Sequence, residues 1–582
     1  MVATTSAYPA QARRKGTELA RRWLHNAALL DPLFYVQLVL IVLLCMLIVY
    51  PAIIVLASSF DDNGAFSLRW YAQAYGNPRN VDAIVNTVLI AAGASLFATV
   101  SGTLLAWVTA RTDVPGRWFI ELASVVPFIS TSFIGALAWI LLGSPETGLI
   151  NQLWRYLGGD GAIIDVYSYA GVIFVIGLHE IPFVFLLVGS ALRSMDPALE
   201  EASLSAGAGN WRTTFRVTLP VVLPAILASA LLVFVLAAEQ FGVPAVLGSP
   251  AKIRVLTTSI IETQVVYPPR QGLGAALCVT LLAFALLGLW LYNVVLGKRS
   301  YATIGGKGGH PKRIGLGPLR WVVFAVCVVY LTVVVILPLI TIFLSSVRTI
   351  WTADFRLEQF TLANYYWVLI DYPIARRAIV NSLLLATVGA TVGMLICVLI
   401  AFLSQRTRLP GRKALDYLSM LPLGFPGVVL AFGMLQAWIN PPIVLYGTIW
   451  ILLVAYITRE LPVGTRVASA TIVQIHPELE EAARSCGGSW LHTFRTITLP
   501  LLKSGILAGW FVLFVAMTRE LSASILLYSP RREVLSVAIY DMFYDGNFRA
   551  LSALASMQVA IALLVLGLAR WTARGARKTD AG

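Results

Sequence analysis

Charged residues are scarce in this chain of 582 residues: Asp, Glu, Lys and Arg together make up 12%, whereas 58% of the residues are hydrophobic. The surface of a soluble enzyme needs more charge than this, so the composition argues against that class and favours a polytopic membrane protein. Several apolar stretches reach or approach the roughly 20 residues that cross the hydrocarbon core of a bilayer. Examples are residues 33–58, 221–240, 275–296, 321–345 and 551–568.

Cysteine is also rare, and its spacing does not match a metal or redox site. The five cysteines contain no Cys-x-x-Cys pair, so we expect no disulfide and no tightly bound metal. No nucleophile and base pattern appears either, so we expect no catalytic residue and no bound cofactor. The run GGKGG at 305–309 lacks the GxxxxGK[ST] pattern of a phosphate-binding loop, and we expect no ATPase within this chain.

Acidic residues are outnumbered by basic ones, and the formal net charge is +14. Such a balance could indicate nucleic-acid binding, but most of the basic residues lie in alternate short connections between apolar stretches. This is the pattern of the positive-inside rule, so we expect those connections to be cytoplasmic and no nucleic acid to bind. Together with the apolar stretches, the pattern predicts about twelve transmembrane helices, a retained first span and both termini in the cytoplasm.

Hydrophobicity falls sharply in residues 297–320, where glycine and lysine are frequent. This segment is predicted to be a cytoplasmic linker between two membrane-embedded halves. The resulting division is a cytoplasmic tail at 1–32, a first half at 33–296, the linker at 297–320, a second half at 321–572 and a cytoplasmic tail at 573–582.

The two halves repeat one another. IVNT at 84–87 matches IVNS at 379–382, and ARTDVPGR at 110–117 matches QRTRLPGR at 405–412, both at an offset of 295. Later blocks match at an offset of 280, so the first half has 15 extra residues, which we assign to the connection 144–168, where we predict a short interfacial helix. An even number of spans in each half predicts an all-α fold of two parallel six-helix repeats.

One polar segment follows the fourth predicted span of each half: EEASLSAGAGNWRTTFRVTLP (Glu200–Pro220) and EEAARSCGGSWLHTFRTITLP (Glu480–Pro500). Asp196-Pro197 and His476-Pro477 are helix start signals, and the glutamates that follow suit the positive end of a helix dipole. Gly207 and Gly487 predict where each helix stops, and the Leu-Pro pairs mark the start of the next span. A generic amphipathic loop would not explain two such segments in register with a repeat.

These two segments resemble the EAA loop of binding-protein-dependent ABC importer permeases, in which a short helix docks into a groove on an ATPase subunit. We call residues 196–220 and 476–500 the EAA loops. The first departs slightly from the family pattern, with Ser203 in place of the second alanine. The resemblance implies that coupling to the ATPase is carried by Glu200, Glu201, Ala202, Gly207, Leu219 and Pro220 in the first loop and by Glu480, Glu481, Ala482, Ala483, Gly487, Leu499 and Pro500 in the second.

The resemblance extends over the whole chain. Stretches such as LPLGFPGVVLAFGML and MTRELSASILLYSP in the second half and EQFGVPAVLGSPAKIRVLTTSI in the first look like the fused permeases of the ferric-iron importer family. It implies the type I ABC importer permease fold and a place in the bacterial cytoplasmic (inner) membrane. It also implies two copies of a separate ATPase subunit, which bind the ATP, and a periplasmic or surface binding protein that delivers the solute.

Ionisable residues inside the predicted spans are costly unless they face protein or water. Those that could line a translocation path are Glu180, Glu239, Glu460, Arg519 and Glu520, and Arg459 lies beside them. Carboxylates from both halves would suit a hard cation such as ferric iron. The alternative is that Arg459 and Arg519 neutralise Glu460 and Glu520 in buried structural pairs. Breaks at Gly424–Gly427 and Phe241–Pro244 are candidate hinges near the path.

The function that the sequence favours is therefore the permease of an ATP-driven ABC importer, with ferric iron as the expected solute. Thiamine, 2-aminoethylphosphonate or another small polar solute is the alternative, because related fused permeases serve them. A secondary transporter driven by an ion gradient is the rival class, but nothing in that class requires twin EAA loops.

Overall fold

The computed structural model describes residues 32–128, 130–297, 313–354 and 356–579. The predicted N-terminal tail before residue 32 and most of the predicted linker lie outside this range. Within it, the chain is almost entirely helical, and the strands that it contains, β1 and β2, form one small antiparallel hairpin, Asp61–Asp62 with Ala65–Phe66. The prediction of an all-α polytopic membrane protein is confirmed.

The first half begins with a long apolar helix that a π-helical turn at Cys45–Val49 divides in two. Its α-helices in chain order are α1 Pro32–Leu44, α2 Tyr50–Phe60, α3 Arg69–Gly76, α4 Pro78–Arg111, α5 Arg117–Val125, α6 Ser132–Gly143, α7 Leu149–Tyr156, α8 Tyr169–Ser194, α9 Pro197–Ser205, α10 Asn210–Thr213, α11 Leu219–Ala238, α12 Leu256–Val265 and α13 Gln271–Gly297. Short 3-10 and π-helical turns also lie at Val126–Phe128, Thr214–Thr218 and Pro244–Gly248.

The second half repeats this order without a counterpart of α7. Its α-helices are α14 Leu319–Leu331, α15 Leu337–Ser346, α16 Ala363–Tyr366, α17 Pro373–Arg406, α18 Arg412–Met420, α19 Gly427–Ala437, α20 Ile449–Val473, α21 Pro477–Ser485, α22 Trp490–Thr493, α23 Leu499–Thr518, α24 Ser524–Leu527, α25 Leu535–Tyr544 and α26 Phe548–Thr579. The short 3-10 and π-helical turns of this half are Thr332–Ile336, Leu357–Gln359, Trp367–Asp371, Leu421–Gly424 and Phe494–Thr498.

The predicted count of twelve spans is not confirmed. By length and composition, nine helices of the described chain could cross a membrane, or up to eleven if each of two sharply bent helix pairs is one span. The helix α20 is not among them, because any 18-residue stretch of it includes Arg459, Glu460 and Arg466. It nevertheless occupies the position of the apolar α8 in the repeat, so twelve spans stay a prediction.

The first span of each half packs against the other half. Helix α2 lies between α13 of its own half and α19 of the second half, and α15 lies in the equivalent place between α26 and α6. A hydrogen bond between the halves supports each of these contacts: Gln37 Nε2 donates to Pro410 O at 2.6 Å, and Trp351 Nε1 donates to Leu141 O at 3.0 Å. The two halves are therefore interlocked and share one hydrophobic core.

The extra residues of the first half form the short helix that the sequence predicts. Helix α7 lies within the connection 144–168, whereas only residues 438–448 join the equivalent helices of the second half. Asn151 fixes the loop by donating to Ser144 O and Ile164 O at 2.9 and 2.7 Å. Gln152 Oε1 accepts a hydrogen bond from Ala353 N at 2.8 Å, so the inserted helix also reaches the second half. Its position at a membrane interface stays a prediction.

The repeated IVNT and IVNS motifs hold the start of a short helix in each half. Thr87 Oγ1 accepts a hydrogen bond from Leu256 N at 2.8 Å, and Ser382 Oγ accepts one from Leu535 N at 2.7 Å. These amides belong to the first residues of α12 and α25, which have no partner within their own helix. The motif is thus repeated because both halves use one hydroxyl to cap a buried helix start.

The neighbouring asparagine of the motif binds the loop before each helix. Asn86 Nδ2 donates to Arg254 O and Asn381 Nδ2 donates to Glu533 O, both at 2.9 Å. Burial raises the pKa of Glu533, but hydrogen bonds from backbone N–H groups and from Arg377 outweigh that effect, so its pKa lies below the usual range. This loop is therefore held by charge as well as by the motif.

We predict that Thr87→Val lowers the free energy of unfolding by about 1–3 kcal/mol, because the buried Leu256 N–H loses its acceptor. Thermal unfolding of the purified protein in detergent measures the loss. Thr99→Val is the matched control in the same helix, since the Thr99 hydroxyl has no hydrogen-bond partner among the described residues. Equal melting temperatures for the two variants would contradict the capping role.

Candidate functional site

The EAA loops fold as two copies of one structure. Helix α9 begins at Pro197, after Asp196, whose carboxylate accepts a hydrogen bond from Ala198 N at 2.9 Å. Helix α21 begins at Pro477. Gly207 and Gly487 follow the two helices with φ of +82° and +84°, a left-handed conformation that ends a helix and that glycine adopts without strain. The predicted helix starts and stops are both confirmed, although docking to an ATPase stays a prediction.

The two consecutive glutamates of each loop point in different directions. Glu201 and Glu481 are exposed, as are Ala202 and Ala482, while Ala483 is half-buried. Glu200 and Glu480 instead turn toward the helix bundle. Thr218 Oγ1 donates to Glu200 Oε1 at 2.6 Å, and Thr498 Oγ1 donates to Glu480 Oε1 at 3.1 Å.

The threonines that hold these carboxylates were not among the predicted site residues. Thr218 and Thr498 directly precede the Leu-Pro pairs Leu219-Pro220 and Leu499-Pro500, with which α11 and α23 begin. Their signal in the sequence is the shared Thr-Leu-Pro ending of both loops. Each carboxylate therefore ties a short EAA helix to the base of the long helix that follows it.

The ionisable residues predicted inside the spans come together where helices break. Glu180 and Glu460 lie near the middle of α8 and α20. Glu239 directly follows α11, and Arg519 and Glu520 directly follow α23. With Arg459 they form what we call the central charged cluster.

Arg459 is the centre of this cluster. Its Nη2 lies 3.4 Å from Glu239 Oε1 of the first half, and its Nε lies 3.1 Å from Glu520 Oε2 of the second half. Arg519 donates to the backbone oxygen of Phe128, also across the two halves, and lies within electrostatic reach of Glu460, Glu520 and Glu180.

The expected pairing of each arginine with the glutamate next to it in sequence is only partly right. Arg519 lies within electrostatic reach of its neighbour Glu520. Arg459 forms its ion pairs with Glu239 and Glu520, not with the adjacent Glu460, because consecutive residues of a helix point in different directions. The cluster has four carboxyl groups and two guanidinium groups, so with all of them ionised it carries a net negative charge. Glu180 accepts a hydrogen bond from Gln240 at 3.1 Å, and its Oε2 is buried without a hydrogen-bond partner among the described residues.

The breaks of two sharply bent helix pairs lie beside the cluster. The segments before and after the break meet at 102° for Arg117–Phe128 and Ser132–Gly143 and at 109° for Arg412–Gly424 and Gly427–Ala437. Ser132 donates to Gln240 Oε1 at 2.8 Å, and the backbone of Gly427 hydrogen bonds to Glu239. The break predicted at Gly424–Gly427 is therefore present and touches the charges. After Phe241, a π-helical turn begins at Pro244, close to the other predicted break.

Aromatic rings from both halves meet at Phe241, two residues after Glu239 of the cluster. The ring of Tyr540 lies 6.0 Å from that of Phe133, 5.7 Å from that of Phe241 and 4.9 Å from that of Tyr544. Phe133 and Phe241 come from the first half and the two tyrosines from the second, so this aromatic layer closes the interface between the halves. The layer was not predicted, because its rings belong to three separate parts of the sequence.

Within the described part of the chain, no group of three or more His, Cys, Asp or Glu side chains has the arrangement of a metal site. The carboxylates of the cluster engage arginine, glutamine and backbone donors instead.

Comparison with known proteins gives one consistent result. The family model described as "Binding-protein-dependent transport system inner membrane component" matches the chain twice, over residues 96–300 and 393–578, with one match in each half.

Two named relatives are similar to the chain over most of its length, and a third is similar to less than half of it. The "Ferric transport system permease protein FbpB" of Actinobacillus pleuropneumoniae is 27% identical over 551 residues, which cover 91% of this chain and 77% of the relative. The "Putative ferric transport system permease protein FbpB 1" of Haemophilus influenzae is 28% identical, covering 86% and 78%. The "Putative 2-aminoethylphosphonate transport system permease protein PhnV" of Salmonella typhimurium is 31% identical, but it covers only 40% of this chain and 86% of the relative.

The backbone at Gly427 leads to a prediction. A Cβ atom there would lie 1.7 Å from Arg459 Nη1, so Gly427→Ala must displace the guanidinium that joins the two halves. We expect transport to fall by about tenfold or more, as loss of a charge-assisted contact of about 1.5–3 kcal/mol would produce. Gly424→Ala is the control in the same tetrapeptide, because its Cβ would meet only the side-chain tips of Leu289 at 3.1 Å and Leu286 at 3.5 Å. Wild-type transport by Gly427→Ala in a reconstituted uptake assay would contradict the role of the cluster.

Proposed function

The chain belongs to the family of binding-protein-dependent transport system inner membrane components and is an ABC importer permease, and from this premise we propose that its solute is ferric iron. The observation that carries this proposal is the convergence of four carboxyl groups from both halves on one buried cluster, where they outnumber the two guanidinium groups. A hard, highly charged cation prefers oxygen ligands. Two relatives named for ferric transport, each matching more than four fifths of the chain, support the same solute.

Of the two arginines of the cluster, Arg459 does not oppose a cation in this arrangement. Arg459 is neutralised by Glu239 and Glu520 together, which leaves Glu180 and Glu460 as the carboxylates with fewer direct partners. Glu180 and Glu460 occupy equivalent positions in the two halves. We propose that the ion passes between these two side chains while Arg459 keeps the surrounding charges in place.

We propose further that each EAA loop receives one copy of a separate ATPase subunit. The first EAA loop exposes Glu201 and Ala202, and the second exposes Glu481 and Ala482. The small alanine side chains give each loop a surface of low relief that a partner can approach closely. A solute-binding protein would deliver the ion at the opposite end of the bundle, and both termini would lie on the ATPase side. Closure of the two ATPases would draw the EAA helices together and open the aromatic layer.

The second candidate solute is 2-aminoethylphosphonate. The aminoethylphosphonate permeases match less than half of this chain, yet Arg519 could receive a phosphonate group if it moved away from the carboxylates. The composition of the cluster favours the cation, because its four carboxyl groups outnumber its two guanidinium groups.

The test is uptake into proteoliposomes that hold the permease, its ATPase and its binding protein, with labelled ferric iron, thiamine and 2-aminoethylphosphonate offered in parallel. We expect ATP-dependent iron uptake that falls by about tenfold or more in Glu180→Gln and in Glu460→Gln, since each removes a charged ligand of the path. Glu121→Gln, an exposed glutamate outside the cluster, is the control.

Retention of the ATPase and of its basal ATP hydrolysis shows that each variant is folded. Unchanged iron uptake in both variants would remove the carboxylates from the path. Uptake of thiamine or 2-aminoethylphosphonate with none of iron would contradict the proposed solute and leave the importer function intact.

A further inference from the structure

An arginine at the end of a long helix binds the first glutamate of each EAA loop. Arg111, the last residue of α4, has its Nη1 3.3 Å from Glu200 Oε2. Arg406, the last residue of α17, has its Nε 3.8 Å from Glu480 Oε1. The two arginines are equivalent in the repeat at an offset of 295 and the two glutamates at an offset of 280. The same contact between an arginine and a glutamate therefore occurs in both halves, although the two residues are repeated at different offsets.

Each arginine also holds the helix that leads into its EAA loop. Arg111 Nη2 donates to Leu192 O near the end of α8 at 2.8 Å. Arg406 Nη2 donates to Ile472 O near the end of α20 at 2.7 Å and also to Ile475 O. A cation is favoured at these carbonyl groups, because the end of a helix carries partial negative charge. One guanidinium thus joins a long helix, the end of a second helix and a short EAA helix.

Burial makes these contacts strong anchors. The Arg111 side chain is 1% exposed and that of Glu200 is 13% exposed, and the corresponding values for Arg406 and Glu480 are 11% and 13%. Removing one partner of a buried pair leaves the other charge uncompensated, which is costly. A pair of this kind resists separation when a force acts on the EAA helix.

The first EAA helix has little else to attach it. None of the nine residues from Pro197 to Ser205 is buried, and Leu199 and Leu204 are exposed. Its further contacts are polar: Thr218 donates to Glu200, and the hydroxyls of Ser203 and Thr213 lie 2.9 Å apart. Without an apolar face packed on the bundle, the helix depends on its covalent ends and on these polar contacts.

We propose that Arg111 with Glu200 and Thr218, and Arg406 with Glu480 and Thr498, form two latches that transmit movement of the EAA helices to the long helices of the bundle. Arg111 and Arg406 are positioning residues, since they act through the glutamates and not on the solute. The consecutive glutamates of each loop then have separate tasks: the first closes the latch, and the exposed second one faces the partner. This inference rests on the proposed docking of an ATPase at each EAA loop.

The latches can be tested by measuring distances at both ends of the helices that they join. One pair of spin labels at Ser205 and Ser485 reports the separation of the EAA helices. A second pair at Val81 and Arg376, which are equivalent exposed positions at the far ends of α4 and α17, reports the response of the bundle. The exposed Cys486 is first replaced by serine. Electron spin resonance then measures both distances in the complex with the ATPase, with and without ATP.

In the wild type we expect ATP to change both distances. In the double variant Arg111→Met, Arg406→Met, the EAA helices still approach one another, but the change at the far ends is lost. Thr218→Val with Thr498→Val removes only the hydroxyl hydrogen bonds to the two glutamates, keeps both arginines, and is expected to reduce the far-end change while the protein stays folded. Arg193→Met, an exposed arginine in the last turn of α8, is the control and is expected to match the wild type.

Two results would overturn the latches. One is a far-end change of wild-type size in the Arg111→Met, Arg406→Met variant. The other is loss of ATPase binding by Glu200→Gln with Glu480→Gln, because these glutamates would then contact the partner directly. Failure of the wild-type chain to retain any ATPase is a different result, which would contradict the proposed function and its docking loops.

Discussion

The buried charge of Arg459 is the constraint on which the rest of the structure depends. A guanidinium inside a membrane bundle is tolerated only when it is paired, and its partners come from both halves, Glu239 from the first and Glu520 from the second. The halves must therefore meet at this point. The chain next to it must also lack a side chain, which is why Gly427 stands where a bent helix turns by 109° against the guanidinium.

Two continuous helices connect this cluster to the EAA loops. Helix α11 begins beside Thr218, which binds Glu200, and ends directly before Glu239. Helix α23 begins beside Thr498, which binds Glu480, and ends directly before Arg519. Each has 20 residues and spans about 30 Å. Movement at an EAA loop can thus reach the charges through one rigid element in each half, which is what alternating access requires of a permease.

The sequence predicted the features that depend on local signals. Proline and glycine placed the starts and stops of α9 and α21, the repeat located the inserted α7, and the rarity of charge in apolar spans singled out the members of the central cluster. The pairings within the cluster could not be predicted, because Arg459 and Glu239 are joined only by the packing of separate helices. Arg111 and Arg406 were visible as parts of a repeated motif, but nothing local indicates that they reach Glu200 and Glu480. The aromatic layer was missed for the same reason.

A single chain that presents two EAA loops, each connected by one long helix to the same central cluster, should bind two ATPase subunits. Native mass spectrometry of the complex, together with ATP hydrolysis by the chain alone and by the complex, tests this most directly. We expect two ATPase subunits per chain and no hydrolysis without them. A complex with one ATPase subunit, or hydrolysis by the purified chain alone, would contradict it.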